Sequence, residues 1–336
     1  MIRVLRVLLC IAVLASCALA QTKLNGAGAT FPYPMYSKWF DEYHKLHPDI
    51  EINYQSIGSG GGIRQVIAGT VDFGASDGPM TDEQMAQAKV KILHVPTVLG
   101  ADVPAYNIPG MNAEIKFTPE VLAGIFLGRI NKWNDNAITS VNPGIKFPDQ
   151  TITVVHRSDG SGTTYVWTDY LSKISSDWQG TVGKGTSVKW PVGIGGKGNE
   201  GVAGNIRQLP GSIGYIELVY AVQNKIQYGS VKNSSGQFVK ADLASITAAA
   251  AGVKMPADFR VSITNASGKT AYPISSFTWL LIPTSPADAN KGKILKDFLF
   301  WMLDKGQTMT EALSYAPLPK QVVEMEKVAI TKQVKP

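Results

Sequence analysis

Short apolar runs bounded by glycine, proline and small polar residues alternate along this chain with stretches of helical spacing. Alternating apolar positions mark a half-buried strand, and apolar residues at i, i+3, i+4 and i+7 mark one face of a helix. Residues 24–29 predict a first strand that runs into Gly-Ala-Gly-Ala-Thr-Phe. Tyr36, Trp39, Phe40 and Tyr43 then fall on one helical face. Ile50, Ile52 and Tyr54 alternate as a second strand, followed by the glycine-rich Gly58-Ser59-Gly60-Gly61-Gly62 and a helix over 63–68. Residues 71–75 predict a third strand leading into Ser76-Asp77-Gly78-Pro79, and Thr81-Asp82-Glu83-Gln84 has the form of a capping box.

An extended run over 95–108, broken by Pro96 and Pro104, leads toward Thr118-Pro119-Glu120. That triplet supplies an N-cap residue, proline at the first helical position and an early acid. Residues 151–155 read as a strand and 164–174 as a helix with Val166, Tyr170 and Leu171 on one face. Glycine- and lysine-rich loops are predicted for 180–201, a helix and a strand through 222, and irregular structure over 224–271. A strand over 274–282 and a final amphipathic helix over 294–303 complete the pattern. Strands alternating with helices argue for an α/β protein. The layout fits two lobes, with the chain crossing near 103–108 and again near 272–274.

The first 20 residues stand apart. Arg3 and Arg6 precede an apolar run over 7–15, and Ala18-Leu19-Ala20 supplies a small-x-small cleavage pattern before Gln21. This is the form of a cleaved secretory signal peptide (1–20), and it predicts an exported, periplasmic protein. Leu14-Ala15-Ser16-Cys17 also has the shape of a lipoprotein box, so anchoring through a lipidated Cys17 is the alternative. Both cysteines, Cys10 and Cys17, lie in this segment, and cleavage after Ala20 would leave no thiol chemistry.

Composition adds only a little. At 336 residues, with 44% hydrophobic and 17% charged, the chain has room for one large domain or two. The formal charge of +6 becomes 6 − 2 = +4 without Arg3 and Arg6. That mild excess suits an anionic ligand, and no dense run of basic residues suggests nucleic acid.

Candidate chemistry gathers at three strand-to-helix junctions: Gly26–Phe31, Gly58–Gly62 and Asp159–Thr163. Each places glycines and a small hydroxyl where a helix begins. Glycine lets backbone approach an anion, and the free N–H groups and dipole of a helix start favour negative charge. One such loop could be a plain cap and turn, but three in one chain point to a convergent oxyanion site. Arg157, just upstream of the third loop, can make a forked, charge-assisted contact. Asp77 is an acceptor among donors and would repel an anion unless a proton lay between them. Phosphate keeps a proton at neutral pH and sulfate does not, so a buried Asp77 would select the protonated oxyanion. Sites built on such a bond can discriminate by roughly 10⁴–10⁵-fold.

Enzyme readings find less support. Gly193-Ile-Gly195-Gly-Lys-Gly198 fits G-x-G-x-x-G, but Trp190-Pro191-Val192 offers only a stub of the buried strand that a dinucleotide fold needs. No P-loop is present, and neither Ser59 nor Ser161 lies in G-x-S-x-G. His44 and His47, at i and i+3, could face one metal, but with no cysteine in the mature chain and few other histidines an exposed helix end is the expectation. No catalytic residue, metal or cofactor is expected. A secreted phosphatase or phosphoryl-transfer enzyme using the same loops is the alternative function, and an adhesion protein without a tight small ligand is a third class.

Six stretches carry a resemblance to the phosphate-specific periplasmic binding proteins that serve ABC-type importers. They are GAGATFPYPMYSKW (26–39), NYQSIGSGGG (53–62), TVDFGASDGP (70–79), VVHRSDGSGTTYVWTDYL (154–171), VKWPVGIGGKGNEGVA (188–203) and LPGSIGYIEL (209–218). The resemblance implies a two-lobed α/β fold of the type II periplasmic-binding-protein kind, each lobe a mixed sheet flanked by helices, joined by two hinge crossovers. Lobe I would comprise 21–104 plus 273–336, and lobe II 105–272. It also implies phosphate contacts from Thr30, Phe31, Ser59, Asp77, Arg157, Ser161, Gly162 and Thr163, with Asp159 holding Arg157. The expected partners are inorganic phosphate and the transmembrane permease subunits, with the binding protein itself a soluble monomer. Gly60, Gly78 and His156 depart from the family, where serine, alanine and arginine are common.

Overall fold

The computed structural model describes residues 21–335; residues 1–20, where the signal peptide and the alternative anchor Cys17 are expected, lie outside the described residues. The first elements are β1 (Thr22–Gly28), α1 (Tyr33–Leu46), β2 (Ile50–Ser56), α2 (Ser59–Ala68), β3 (Phe73–Ser76), α3 (Asp82–Gln87) and β4 (Ile92–Asn107). After α4 (Pro119–Phe126) come β5 (Thr153–Arg157), α5 (Gly162–Ile174), β6 (Ile194–Gly196), α6 (Gly198–Gln208), β7 (Ser212–Glu217) and α7 (Leu218–Gln223). The chain closes with β8 (Ser275–Pro283), α8 (Ala289–Asp304) and α9 (Lys320–Gln333). Among the described residues no helix is long and apolar enough to cross a membrane.

The main strands lie in the order β2-β1-β3-β8-β4-β7-β5-β6. β1 is parallel to β2 and β3, whereas β8 runs antiparallel to β3 and β4. On the other side β7 is antiparallel to β4 but parallel to β5, which is parallel to β6. The long β4 serves both halves, pairing with β8 through Ala101 and with β7 from Asp102 onward. There the Asp102 N–H donates to the Ile274 carbonyl at 2.9 Å, one residue before β8 begins. Two mixed sheets therefore meet where β4 and the chain entering β8 pass between them. Pro96 is tolerated inside β4 because its register with β8 shifts there, between Thr278 and Trp279.

The aromatic face predicted for α1 is its buried face: Tyr36, Trp39, Phe40 and Tyr43 are all sequestered. Trp39 satisfies its indole N–H on the Gly306 carbonyl at 2.9 Å, so the ring is buried without an orphaned donor. Burying side chains of this size contributes about 1.5–3 kcal/mol each. The Thr81 capping box and the Thr118 cap both form.

The segment 180–201 is more ordered than its glycines suggest. β6 lies inside the G-x-G-x-x-G run, parallel to β5, and α6 starts at Gly198. A Cβ on Gly196 would stand 2.7 Å from the Val202 nitrogen, so the glycine serves close strand–helix packing. The stretch 224–271 also holds structure: a small sheet of Lys116–Phe117, Ser230–Lys232 and Phe238–Val239, and a helix over Leu243–Ala250. Its strands are too short to show a period. The helix over 294–303 is not the last, since α9 follows. Its buried positions Val322, Glu326, Ala329 and Ile330 have helical spacing, but the carboxyl of Glu326 interrupts the apolar stripe.

The glycines of α2 let it lie directly on the sheet. A Cβ on Gly62 would stand 2.6 Å from the Ala27 carbonyl oxygen and the Gly28 Cα, both backbone atoms. Gly62→Ala is therefore expected to destabilise the protein by about 1–3 kcal/mol through overpacking. Chemical denaturation would show this as a lowered midpoint at unchanged m-value.

Candidate oxyanion-binding site

All three glycine-rich loops leave the C-terminal ends of parallel strands. β1 leads to Thr30 and Phe31, β2 to Ser59 at the start of α2, β3 to Asp77, and β5 through Arg157 to Ser161, Gly162 and Thr163 at the start of α5. β1, β2 and β3 are mutually parallel and put their C-terminal ends on one edge, while β5 runs the opposite way in the other half, so its C-terminal end faces theirs and the loops converge. Thr30, Phe31, Ser59, Asp77, Arg157, Ser161 and Thr163 are each at most 3% exposed.

The contacts join these residues into one cluster. Ser59 Oγ accepts the Asp77 N–H at 3.2 Å and lies 3.4 Å from Asp77 Oδ2. Asp77 Oδ1 accepts the Thr278 hydroxyl at 2.8 Å. Any Cβ on Gly162 would collide with both the Asp77 carboxylate and the Ser59 hydroxyl, so only glycine brings the α5 N-terminus this close. Ser161 caps α5 by accepting the Thr164 N–H at 3.0 Å. Among the described residues the N–H groups of Phe31, Gly162 and Thr163 meet no protein acceptor. Buried N–H groups are seldom left so, and these three are the donors an anion would take.

Arg157 donates Nε and Nη2 to the two carboxylate oxygens of Asp159, at 2.8 and 2.6 Å. Its Nη1 donates to Thr163 Oγ1 at 3.2 Å. Three of the five guanidinium N–H groups are thus engaged, leaving one on Nη1 and one on Nη2, a fork suited to an oxyanion. Asp159 also accepts the Gly198 N–H at 3.1 Å, which ties the α5 loop to α6.

Burial pushes the Asp77 carboxyl up to about 7, against the opposing pull of Thr278, Arg157 and Ser59. Burial acts the same way on Asp159, but its bonds to Arg157 outweigh it and hold the carboxyl below the usual range. Asp102 and Glu217, paired across β4 and β7, are pushed well above it, chiefly by burial. Their neutral forms are thereby favoured, which limits the negative field near the cluster.

The site is closed in this structure. Gly60 N–H donates to the Gly160 carbonyl at 2.9 Å, and the Tyr220 hydroxyl donates to the Thr30 carbonyl at 2.6 Å. Arg260 reaches the Met80 carbonyl at 2.9 Å and Asp82 at 2.7 Å. Two of the positions that depart from the resembled family lie on this seam. A Cβ on Gly60 would stand 3.1 Å from Gly160 Cα, and one on Gly78 would press on the Tyr165 ring at 2.7 Å. His156 stacks on Trp190 with ring centroids 4.9 Å apart.

The eight residues proposed from the sequence fall into this one cluster, with Asp159 behind Arg157. Sequence reasoning passed over Thr278, which braces Asp77 from β8, and Asn199. Asn199 follows a glycine at a helix start, the same signal as the other loops, but its G-x-G-x-x-G setting drew attention to a different chemistry. His44 sets Nδ1 on the Ile50 carbonyl at 2.6 Å, a helix-end contact. Among the described residues no group of His, Cys, Asp and Glu could hold a metal ion.

A sequence profile of the PBP superfamily domain matches residues 15–305. The chain is 47% identical over 308 residues to the phosphate-binding protein PstS of Pasteurella multocida, covering 91% of this chain and 88% of that protein. It is 46% identical over 306 residues to the phosphate-binding protein PstS of Xylella fastidiosa (90% and 83%). The phosphate-binding protein PstS of Methanocaldococcus jannaschii is 38% identical over 327 residues (90% and 84%). A solved high-affinity periplasmic phosphate-binding protein, bound with phosphate, superposes with a TM-score of 0.73 at 22% identity, covering 94% of this chain and 99% of the other. The phosphate-binding protein of Stenotrophomonas maltophilia gives 0.71 at 19% identity (91% and 93%). These two likenesses establish the shared fold, the two-lobed type II periplasmic-binding-protein architecture.

Proposed function

This chain belongs to the PstS-type family of phosphate-binding proteins in the PBP superfamily, and from that premise we propose that it captures inorganic phosphate and delivers it to an ABC-type permease. The observation that carries the reading is the buried carboxylate of Asp77, set among donor groups from both halves of the fold. Thr30, Phe31, Ser59, Arg157, Ser161, Gly162 and Thr163 replace the water shell of hydrogen phosphate with hydroxyl, N–H and guanidinium donors, and Asp77 accepts its proton. Asp159 holds Arg157 in place. The ligand lies between a lobe of 21–104 plus 273–336 and a lobe of 105–272, and the closed form is what the permease subunits recognise.

The protein acts by binding, without a cofactor. The Ser59 hydroxyl stands 3.4 Å from Asp77 Oδ2, longer than the contact of about 2.6–3.2 Å that an activated nucleophile makes with its base. It is exported to the periplasm by cleavage after Ala20, with a lipid anchor on Cys17 as the alternative; the mass of the mature chain separates the two.

Calorimetry with phosphate, arsenate and sulfate at pH 8 tests the function. Tight phosphate, similar arsenate and no measurable sulfate are expected, and equal sulfate binding would refute the role of Asp77. Robust turnover of a chromogenic phosphate ester, with or without divalent metals, would replace the receptor reading by the phosphatase one.

A further inference from the structure

Asn199, the second residue of α6, is fully buried between the two halves of the site. Its Oδ1 accepts the backbone N–H of Glu217 at 2.9 Å. A backbone N–H can only donate, so the amide orientation is settled and Nδ2 faces the other way. Nδ2 lies 2.9 Å from Thr30 Oγ1 and 3.1 Å from Thr163 Oγ1, one amide hydrogen for each.

Each of those hydroxyl oxygens has a second donor. Thr30 Oγ1 also receives the Asn199 backbone N–H at 3.3 Å, and Thr163 Oγ1 receives Arg157 Nη1 at 3.2 Å. A hydroxyl has two acceptor sites and one proton. With both acceptor sites filled, the proton must point elsewhere, and among the described residues neither threonine hydroxyl donates to a protein acceptor.

We propose that Asn199 is a positioning residue that turns the hydroxyls of Thr30 and Thr163 into obligate donors aimed at the bound oxyanion. The inference rests on the phosphate reading above and deepens it. A free threonine hydroxyl can donate or accept and so does not discriminate between ligand oxygens that carry a proton and those that do not. With one acceptor site on each filled by the Asn199 side chain and the other by the Asn199 N–H or Arg157, the two become donors only and favour unprotonated oxygens. That leaves the ligand's proton to the acceptor, Asp77. Because Thr30 precedes α1 and Asn199 opens α6, the same amide couples this polarisation to closure.

An aspartate at 199 would reverse the effect, accepting both hydroxyl protons and adding charge. Phosphate binding by Asn199→Asp and Asn199→Ala is to be measured by calorimetry between pH 5 and 8.5, beside wild type. About 100-fold or greater loss is expected for the aspartate variant at pH 8, and about 10-fold for alanine, whose hydroxyls are free to rotate. The aspartate variant should recover toward wild type as pH falls and its carboxyl becomes a donor again, while the ratio of alanine variant to wild type stays constant. A packing defect would not titrate in this way. Binding within threefold of wild type, or equal and pH-independent losses in both variants, would overturn the inference alone. A wild type that binds no phosphate overturns the functional reading and this inference together. Should the aspartate variant not fold, the alanine variant decides: an unchanged affinity refutes the role and a tenfold loss at preserved melting temperature supports it.

Discussion

Asp77→Asn is expected to reduce the phosphate-to-sulfate affinity ratio by about 100-fold or more, by weakening phosphate and admitting sulfate together. The carboxylate faces donors in the cluster and is braced by the Thr278 hydroxyl at 2.8 Å and by Ser59. A charged Asp77 can face an oxyanion only through a shared proton, which phosphate carries and sulfate lacks. Asparagine removes the charge and offers an N–H, so the penalty on sulfate disappears. Phosphate loses one bond to a charged acceptor, about 1.5–3 kcal/mol or roughly 10- to 100-fold.

Wild type should show the same chemistry as a function of pH. With its carboxyl pushed up to about 7 by burial, Asp77 holds a proton below that pH and loses it above. Protonated, it can donate to sulfate; ionised, it repels it. Sulfate rejection is thus expected to weaken from pH 8.5 to 5.5 in wild type and to stay flat in Asp77→Asn. Competition calorimetry at both pH values checks this, and a ratio independent of pH in wild type would remove Asp77 from the selectivity mechanism.

Arg157→Met should cost phosphate binding about 10²–10⁴-fold. Truncating one partner of a buried, hydrogen-bonded charge pair costs about 2–5 kcal/mol or more, partly from the charge left behind. Here the loss includes the two-toothed pairing with Asp159, the bond to Thr163 and the two remaining N–H groups available to the ligand. Asp159 would keep only the Gly198 N–H among these contacts. Lysine would restore the charge but not the planar fork, so Arg157→Lys should fall between wild type and methionine. Melting curves with and without phosphate separate the two consequences. The methionine variant should lose most of the phosphate-induced rise in Tm, and an undiminished rise would place Arg157 outside the site.

Much of the site could be read before the fold was in view. Helix caps and glycine loops act over four or five residues, so Ser59, Ser161, Gly162 and Thr163 announce themselves through local composition. Arg157 and Asp77 could be read as strand-end charges following apolar runs. Thr278 could not, because nothing around it distinguishes a ligand-bracing hydroxyl from any other threonine in a buried strand. The same holds for Asn199, whose partners lie 169 and 36 residues away in the chain. The buried Asp102 was equally silent, since its significance comes from facing Glu217 where β4 changes partners.

The sequence alone determined the alternation of strands and helices, the three anion-ready junctions and the family to which they point. Periodicity, capping and glycine geometry are local properties, complete within a few residues. Tertiary structure decided which junctions meet, which carboxylates lose their water, and which amide fills the lone pairs of two distant hydroxyls. Those properties depend on burial and on long-range pairing, and no short stretch of chain contains either.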